Sequence, residues 1–105
     1  MLERDKDVLA TFARCIRERF ASARVWAFGS RARATAFPES DLDVCVVLEH
    51  LDDASDSAVM EIAWQVGFDN DVVISTVTYS RQEFEQGPLS ESPLVQIVLR
   101  EGIAA

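Results

Sequence analysis

Asp41 and Asp43 stand two residues apart in the stretch Ser40-Asp41-Leu42-Asp43-Val44-Cys45-Val46-Val47-Leu48. The run from Val44 to Leu48 is apolar and mostly β-branched, the pattern of a strand covered on both faces. Side chains alternate along a strand, so Asp41, Asp43, Cys45 and Val47 share one face, and the two aspartates lie roughly 6.5 to 7 Å apart at their Cα atoms. At that spacing both carboxylates reach one divalent cation or a close pair of them. Without a cation, two like charges on a half-buried face repel each other and lose hydration. The pair therefore reads as a Mg²⁺ site rather than a packing device.

Eleven residues upstream of Asp41, Gly29-Ser30 ends the short apolar run Val25-Trp26-Ala27-Phe28. After a strand, Gly-Ser permits a tight turn and a close backbone approach to a ligand, and the serine hydroxyl can bond a phosphate oxygen. The same dipeptide is also ordinary loop chemistry, so its weight comes from the aspartate strand that follows. Arg31-Ala32-Arg33-Ala34-Thr35-Ala36 favours a short helix over residues 31–36 that would aim its N-terminal amides at the same ligand. Arg31 and Arg33 would supply positive charge near phosphates or sit as solvated surface residues. A third acid, Asp71, opens the β-branched run Asp71-Val72-Val73-Ile74-Ser75-Thr76-Val77, with Asp69 two residues earlier as a competitor for the same role. Pairing of this strand beside the Asp41 strand would bring a third carboxylate to the metal-facing side.

The remaining elements must position these groups. Val8, Leu9, Phe12, Ile16 and Phe20 recur at helical spacing and predict an amphipathic helix over residues 5–21. Pro38 ends the short helix and biases Phe37 toward extended backbone. Asp52, Asp53 and Asp56 read as solvated residues and the cap of a helix whose buried face is Val59, Met60, Ile62, Ala63, Trp64 and Val66, with Gly67 as its stop. Ser80-Arg81-Gln82-Glu83 has capping-box spacing and opens a short helix over Phe84, closed near Gly87-Pro88. Leu94, Ile97, Val98 and Ile103 predict a last amphipathic helix. Trp26, Phe28, Trp64 and Phe68 read as core rather than as base-stacking residues.

The chain has 105 residues, 49% of them hydrophobic, and a mean hydropathy of +0.04, which suits one compact domain over residues 1–105. No apolar stretch approaches the ~20 residues that span a bilayer, and Met1-Leu2-Glu3-Arg4-Asp5-Lys6-Asp7 has no apolar segment of the secretory kind, so a soluble cytoplasmic protein is expected. Cys15 and Cys45 lack CxxC spacing, the chain's one histidine is His50, and both thiols read as structural. Residues 1–33 carry eight Lys/Arg against four Asp/Glu, whereas residues 34–105 carry two against fourteen. A net charge of −8 argues against sequence-independent binding to nucleic acid, and bound nucleotide phosphates would need metal ions and local arginines.

Taken together, Gly29-Ser30-Arg31-Ala32-Arg33, then Ser40-Asp41-Leu42-Asp43, then an acid opening a later strand at Asp71-Val72-Val73 resemble the minimal nucleotidyltransferases of the superfamily that includes beta-type DNA polymerases. The resemblance covers roughly residues 8–103, with Ala34 standing where the family often has glycine. It implies an α+β nucleotidyltransferase fold, a small mixed β-sheet with helices packed mainly on one face. By position it assigns triphosphate contacts to Gly29 and Ser30, with Arg31, Arg33 and Ser40 in the nucleotide site, and two Mg²⁺ ions to Asp41, Asp43 and Asp71. The implied reaction is transfer of a nucleoside monophosphate, usually from ATP, with pyrophosphate leaving. Many small members act as antitoxins of a HEPN-domain toxin, some by adenylylating it. With a single domain expected, a partner or a second copy would present the acceptor.

Two rival classes share parts of this pattern. Asp-x-Asp also marks HAD-type phosphatases and many glycosyltransferases, but there the apolar strand precedes the motif, whereas here it follows. An antitoxin that keeps this fold and neutralises its partner by contact is the stronger rival, against which three convergent acids would argue for an enzyme.

Overall fold

A computed structural model describes residues 1–35 and 40–105, so the expected break at Phe37-Pro38 lies outside the described residues. Helix α1 (Glu3–Arg19) leads into strand β1 (Arg24–Phe28), the short helix α2 (Gly29–Ala32) and strand β2 (Leu42–Leu48). Helix α3 (Asp53–Asp69), strand β3 (Ile74–Ser80), helix α4 (Arg81–Glu85), a 3₁₀ turn (Pro88–Glu91), helix α5 (Pro93–Glu101) and strand β4 (Ile103–Ala104) follow. The sheet order is β3-β2-β1-β4, with β2 and β3 parallel and the other neighbours antiparallel. This is the mixed α+β architecture expected.

Alternation along β2 divides the core. Leu42, Val44, Val46 and Leu48 face the two long helices and pack with Val8, Leu9, Phe12 and Ile16 of α1 and Val59, Ala63 and Val66 of α3. Cys45 and Val47 face the other way and pack with Phe28, Tyr79, Phe84 of α4, and Val95 and Val98 of α5. The long helices thus cover one face, and short α4 and α5 cover part of the other. Among the described residues no helix is long and apolar enough to cross a membrane.

Local chemistry fixes the helix starts. Asp52 caps α3, its carboxylate accepting from the Ser55 amide at 2.8 Å while Ser55 Oγ accepts from the Asp52 amide at 2.9 Å. Ser80 and Glu83 make the same reciprocal pair at the start of α4.

Four expectations need correction. Gly67 does not stop α3, which runs on to Asp69; a Cβ at Gly67 would lie 2.5 Å from the Val72 carbonyl oxygen, so the missing side chain serves a close approach of the following turn. Met60, Trp64 and Phe68 of α3 are exposed rather than core; they lie beside β3, the edge strand among the described residues. The helix expected over residues 31–36 begins at Gly29 and ends at Ala32. Ile103 is not helical: α5 ends at Glu101 and is capped by Gly102, whose amide donates to the Val98 carbonyl, and Ile103 pairs with Ala27 as a fourth strand.

Candidate active site

β1 carries the chain to Phe28, which stands opposite Asp43 in the antiparallel register. The next residue, Gly29, has φ +76°, and a Cβ there would meet Asp43 Oδ2 at 2.6 Å. Any side chain would therefore both strain the backbone and collide with the carboxylate. The absent side chain brings the Gly29-Ser30 bend directly against Asp43. Behind the bend, the Ser30 carbonyl accepts from the Thr35 amide at 2.9 Å and the Gly29 carbonyl from the Arg33 amide at 3.2 Å. Ala34 closes this loop at φ +57°, a left-handed conformation taken at some cost by a residue with a Cβ.

Asp43 projects from the Cys45 and Val47 side of β2, and exposed Asp41 precedes the strand by one residue. Partial burial, reinforced by the Asp41 charge, holds the Asp43 carboxyl above the usual aspartate range. Among the described residues neither aspartate has an ion pair with Lys or Arg. Two oxygen donors in mutual repulsion beside a backbone bend are the donor chemistry a hard divalent cation satisfies. Farther along the same face, burial pushes the Cys45 thiol up to about 12, which keeps it neutral and inert.

Arg31 has a different place from either expected. Its side chain is buried at 9% exposure; Nη1 donates to Asp5 Oδ1 at 2.9 Å and Nε donates to the Ser40 carbonyl at 2.7 Å. Asp5 is itself 4% exposed in the first turns of α1. The guanidinium thus braces three segments: α1, α2 and the chain entering β2. Ser40 takes part through its backbone carbonyl. Arg33 lies at the surface, with Nη1 3.6 Å from Glu101 Oε2, a half-exposed pair that leaves it accessible.

Asp71 does not join the aspartate pair. β3 begins at Ile74, three residues later than expected, because the chain leaves α3 through a tight turn in which the Asn70 and Val72 amides both donate to the Gly67 carbonyl. Asp71 occupies that turn at φ +56°, a conformation aspartate tolerates better than most residues, and its neighbours in a shallow depression are Arg31, Ser40, Gly67, Phe68, Val72 and Val73. Among the described residues no three metal-ligating side chains come together. The parallel register instead sets Ser75 beside Asp43, on the same face of the sheet. Sequence reasoning missed Ser75, and the Asn70-Asp71 turn pair was the one signal that the strand begins later.

The sequence matches the model of the nucleotidyltransferase domain over residues 9–104. The chain belongs to that family. Solved structures carry the same fold. A toxin-antitoxin complex with AMP-PNP superposes with a TM-score of 0.62 at 20% identity, covering 98% of this nucleotidyltransferase domain and 72% of that chain. A MntA-HpeT toxin-antitoxin carrying two Asp-to-Glu substitutions gives a TM-score of 0.62 at 19% identity over the same shares. A further MntA-HpeT mutant gives 0.61 at 21% identity, covering 100% and 72%. A comparison with curated proteins returned no match.

Proposed function

We propose that this nucleotidyltransferase domain moves AMP from ATP to a hydroxyl of a partner protein in a Mg²⁺-dependent reaction, as the antitoxin of a HEPN-domain toxin in the cytoplasm. The observation that carries this reading is the Asp41–Asp43 pair set against the Gly29-Ser30 bend. The known likenesses to toxin-antitoxin complexes, one with AMP-PNP and one with paired aspartates changed to glutamate, support it.

In this reading Asp41 and Asp43 would hold two Mg²⁺ ions, which would supply charge neutralisation for an in-line displacement at the α-phosphate. Gly29 lets the backbone approach the outer phosphates, and the Ser30 hydroxyl orients one of their oxygens. The acceptor oxygen forms a bond to the α-phosphorus, the bond to pyrophosphate breaks, and the hydroxyl proton passes to solvent. Arg33 is the accessible cation near the bend, and Arg31 fixes the bend relative to the aspartates. Asp71 takes no part.

A second reading, an antitoxin acting by contact with little transfer, is favoured by one observation: among the described residues two acids, not three, come together. Incubation with α-labelled ATP, Mg²⁺ and the HEPN-domain protein separates the two. Label on the partner supports transfer, and neutralisation of the toxin without label overturns it.

A further inference from the structure

Four of the seven large apolar side chains most exposed in the described structure lie together on one side of the molecule: Met60 at 57%, Trp64 at 66%, Phe68 at 71% and Val73 at 63%. Met60, Trp64 and Phe68 succeed one another at four-residue intervals on α3, and the Trp64 and Phe68 rings stack at 5.3 Å and 13°. Beside them α3 and the chain entering β3 line a cleft of about 560 Å³, with Val72 and Val73 before the strand and Ile74 and Thr76 within it forming the facing wall. Isolated exposed apolar residues are ordinary, but a contiguous aromatic patch above a cleft marks an interaction site.

The backbone beside this patch says what shape of partner fits. β3 is an edge strand with seven paired residues on its β2 side and, among the described residues, no strand on its outer side. Its sequence, Ile-Ser-Thr-Val-Thr-Tyr-Ser, contains no charge and no proline. Edge strands of this length are normally blunted by such residues, and an unblunted one accepts another strand. From Asp56 to Phe68 the helix rises about 18 Å, the length of five or six extended residues.

Charge says what chemistry that partner has. α3 carries Asp53, Asp56, Glu61 and Asp69 with no Lys or Arg. Asp56 lines the cleft, and Asp71 lines the depression that continues it past Phe68. The basic groups near this end are Arg31, buried against Asp5, and Arg4, which donates to the Asn70 carbonyl. A second copy would bring the same acids against themselves. The geometry points to an extended segment of a partner protein, apolar at alternate positions and flanked by Lys or Arg, that adds as a strand to β3 and covers Trp64 and Phe68. This surface is argued independently of transfer at the Asp41–Asp43 pair.

The test uses the whole chain and a fluorescein-labelled peptide, Lys-Lys-Thr-Val-Thr-Ile-Thr-Val-Lys-Lys, followed by fluorescence anisotropy. Two companions replace every Lys by Glu or the Ile by Pro, which cannot continue a strand. Expected are saturable binding of the Lys-flanked peptide, at least about tenfold weaker binding of both companions, and at least about tenfold loss with Trp64→Ser and with Phe68→Ser. Both positions are exposed, so circular dichroism of the variants should match the parent. Amide hydrogen exchange at Thr76 and Thr78 should slow when the Lys-flanked peptide binds. Equal binding of all three peptides, binding of none, indifference to both substitutions, or a homodimer that Trp64→Ser dissociates would each overturn the proposal.

Discussion

β2 and β3 run side by side in the same direction and in register for seven residues, yet only one of them opens on acids that meet. β2 is covered on both faces, antiparallel β1 delivers the Gly29 bend to its entrance, and the Asp41 charge acts on Asp43 there. Among the described residues β3 has a neighbouring strand on one side only, and its acid is spent in the left-handed turn that precedes it. The difference teaches that a carboxylate at the head of an apolar run becomes part of a site only when the neighbouring strand fixes where that run begins to pair.

The comparison breaks most sharply under substitution of its two acids. Asp43→Asn is expected to reduce AMP transfer to background with the fold intact, whereas Asp71→Asn, which keeps the tolerance for positive φ, should leave it within about threefold of the parent. Label transfer from α-labelled ATP measures both, and equal losses would mean that Asp71 reaches the proposed metal site during turnover. Next in size is the brace behind β2. Arg31→Met leaves Asp5 buried without its cation and should cost about 3 kcal/mol in urea unfolding. A loss within the error of that measurement would show the brace to be dispensable.

Smaller effects sharpen the picture of the bend itself. Ala34→Gly relieves a Cβ held at positive φ and should stabilise the domain by about 1 kcal/mol, read as a shift in the urea midpoint. The smallest effect concerns protons. Asp43 titrates above its ordinary value in the fold, so its protonated form contributes stability that is complete below the unfolded aspartate pKa and is lost as pH rises through the folded one. In chelator-treated protein, thermal midpoints should therefore decline across that interval, Asp43→Asn should flatten the decline, and Mg²⁺ should oppose it.

Much of this was legible in the chain because it rests on local rules. Helical spacing gave the buried stripe of α1, the Ser80–Glu83 spacing gave the start of α4, and strand alternation split β2 into its two packed faces, with Asp43 on the Cys45 and Val47 side. What stayed hidden depends on nonlocal geometry. The apolar run after Asp71 is equally good strand from residue 71 or 74, and only pairing with Leu42 selects the later start and so brings Ser75 to Asp43. Trp64 and Phe68 obey the same periodicity as the core residues beside them, yet they lie exposed beside β3, the edge strand among the described residues. The two-residue strand after Gly102 is too short for any pattern to announce.

Because Asp5 sits in the opening turns of α1 and reaches Ser40 through Arg31, the molecule's front end doubles as a doorpost for the candidate site more than thirty residues away along the chain. An affinity tag or truncation that frays those first turns would slacken the entrance to β2 without touching an aspartate, so a weak preparation made that way would mimic an inactive mutant.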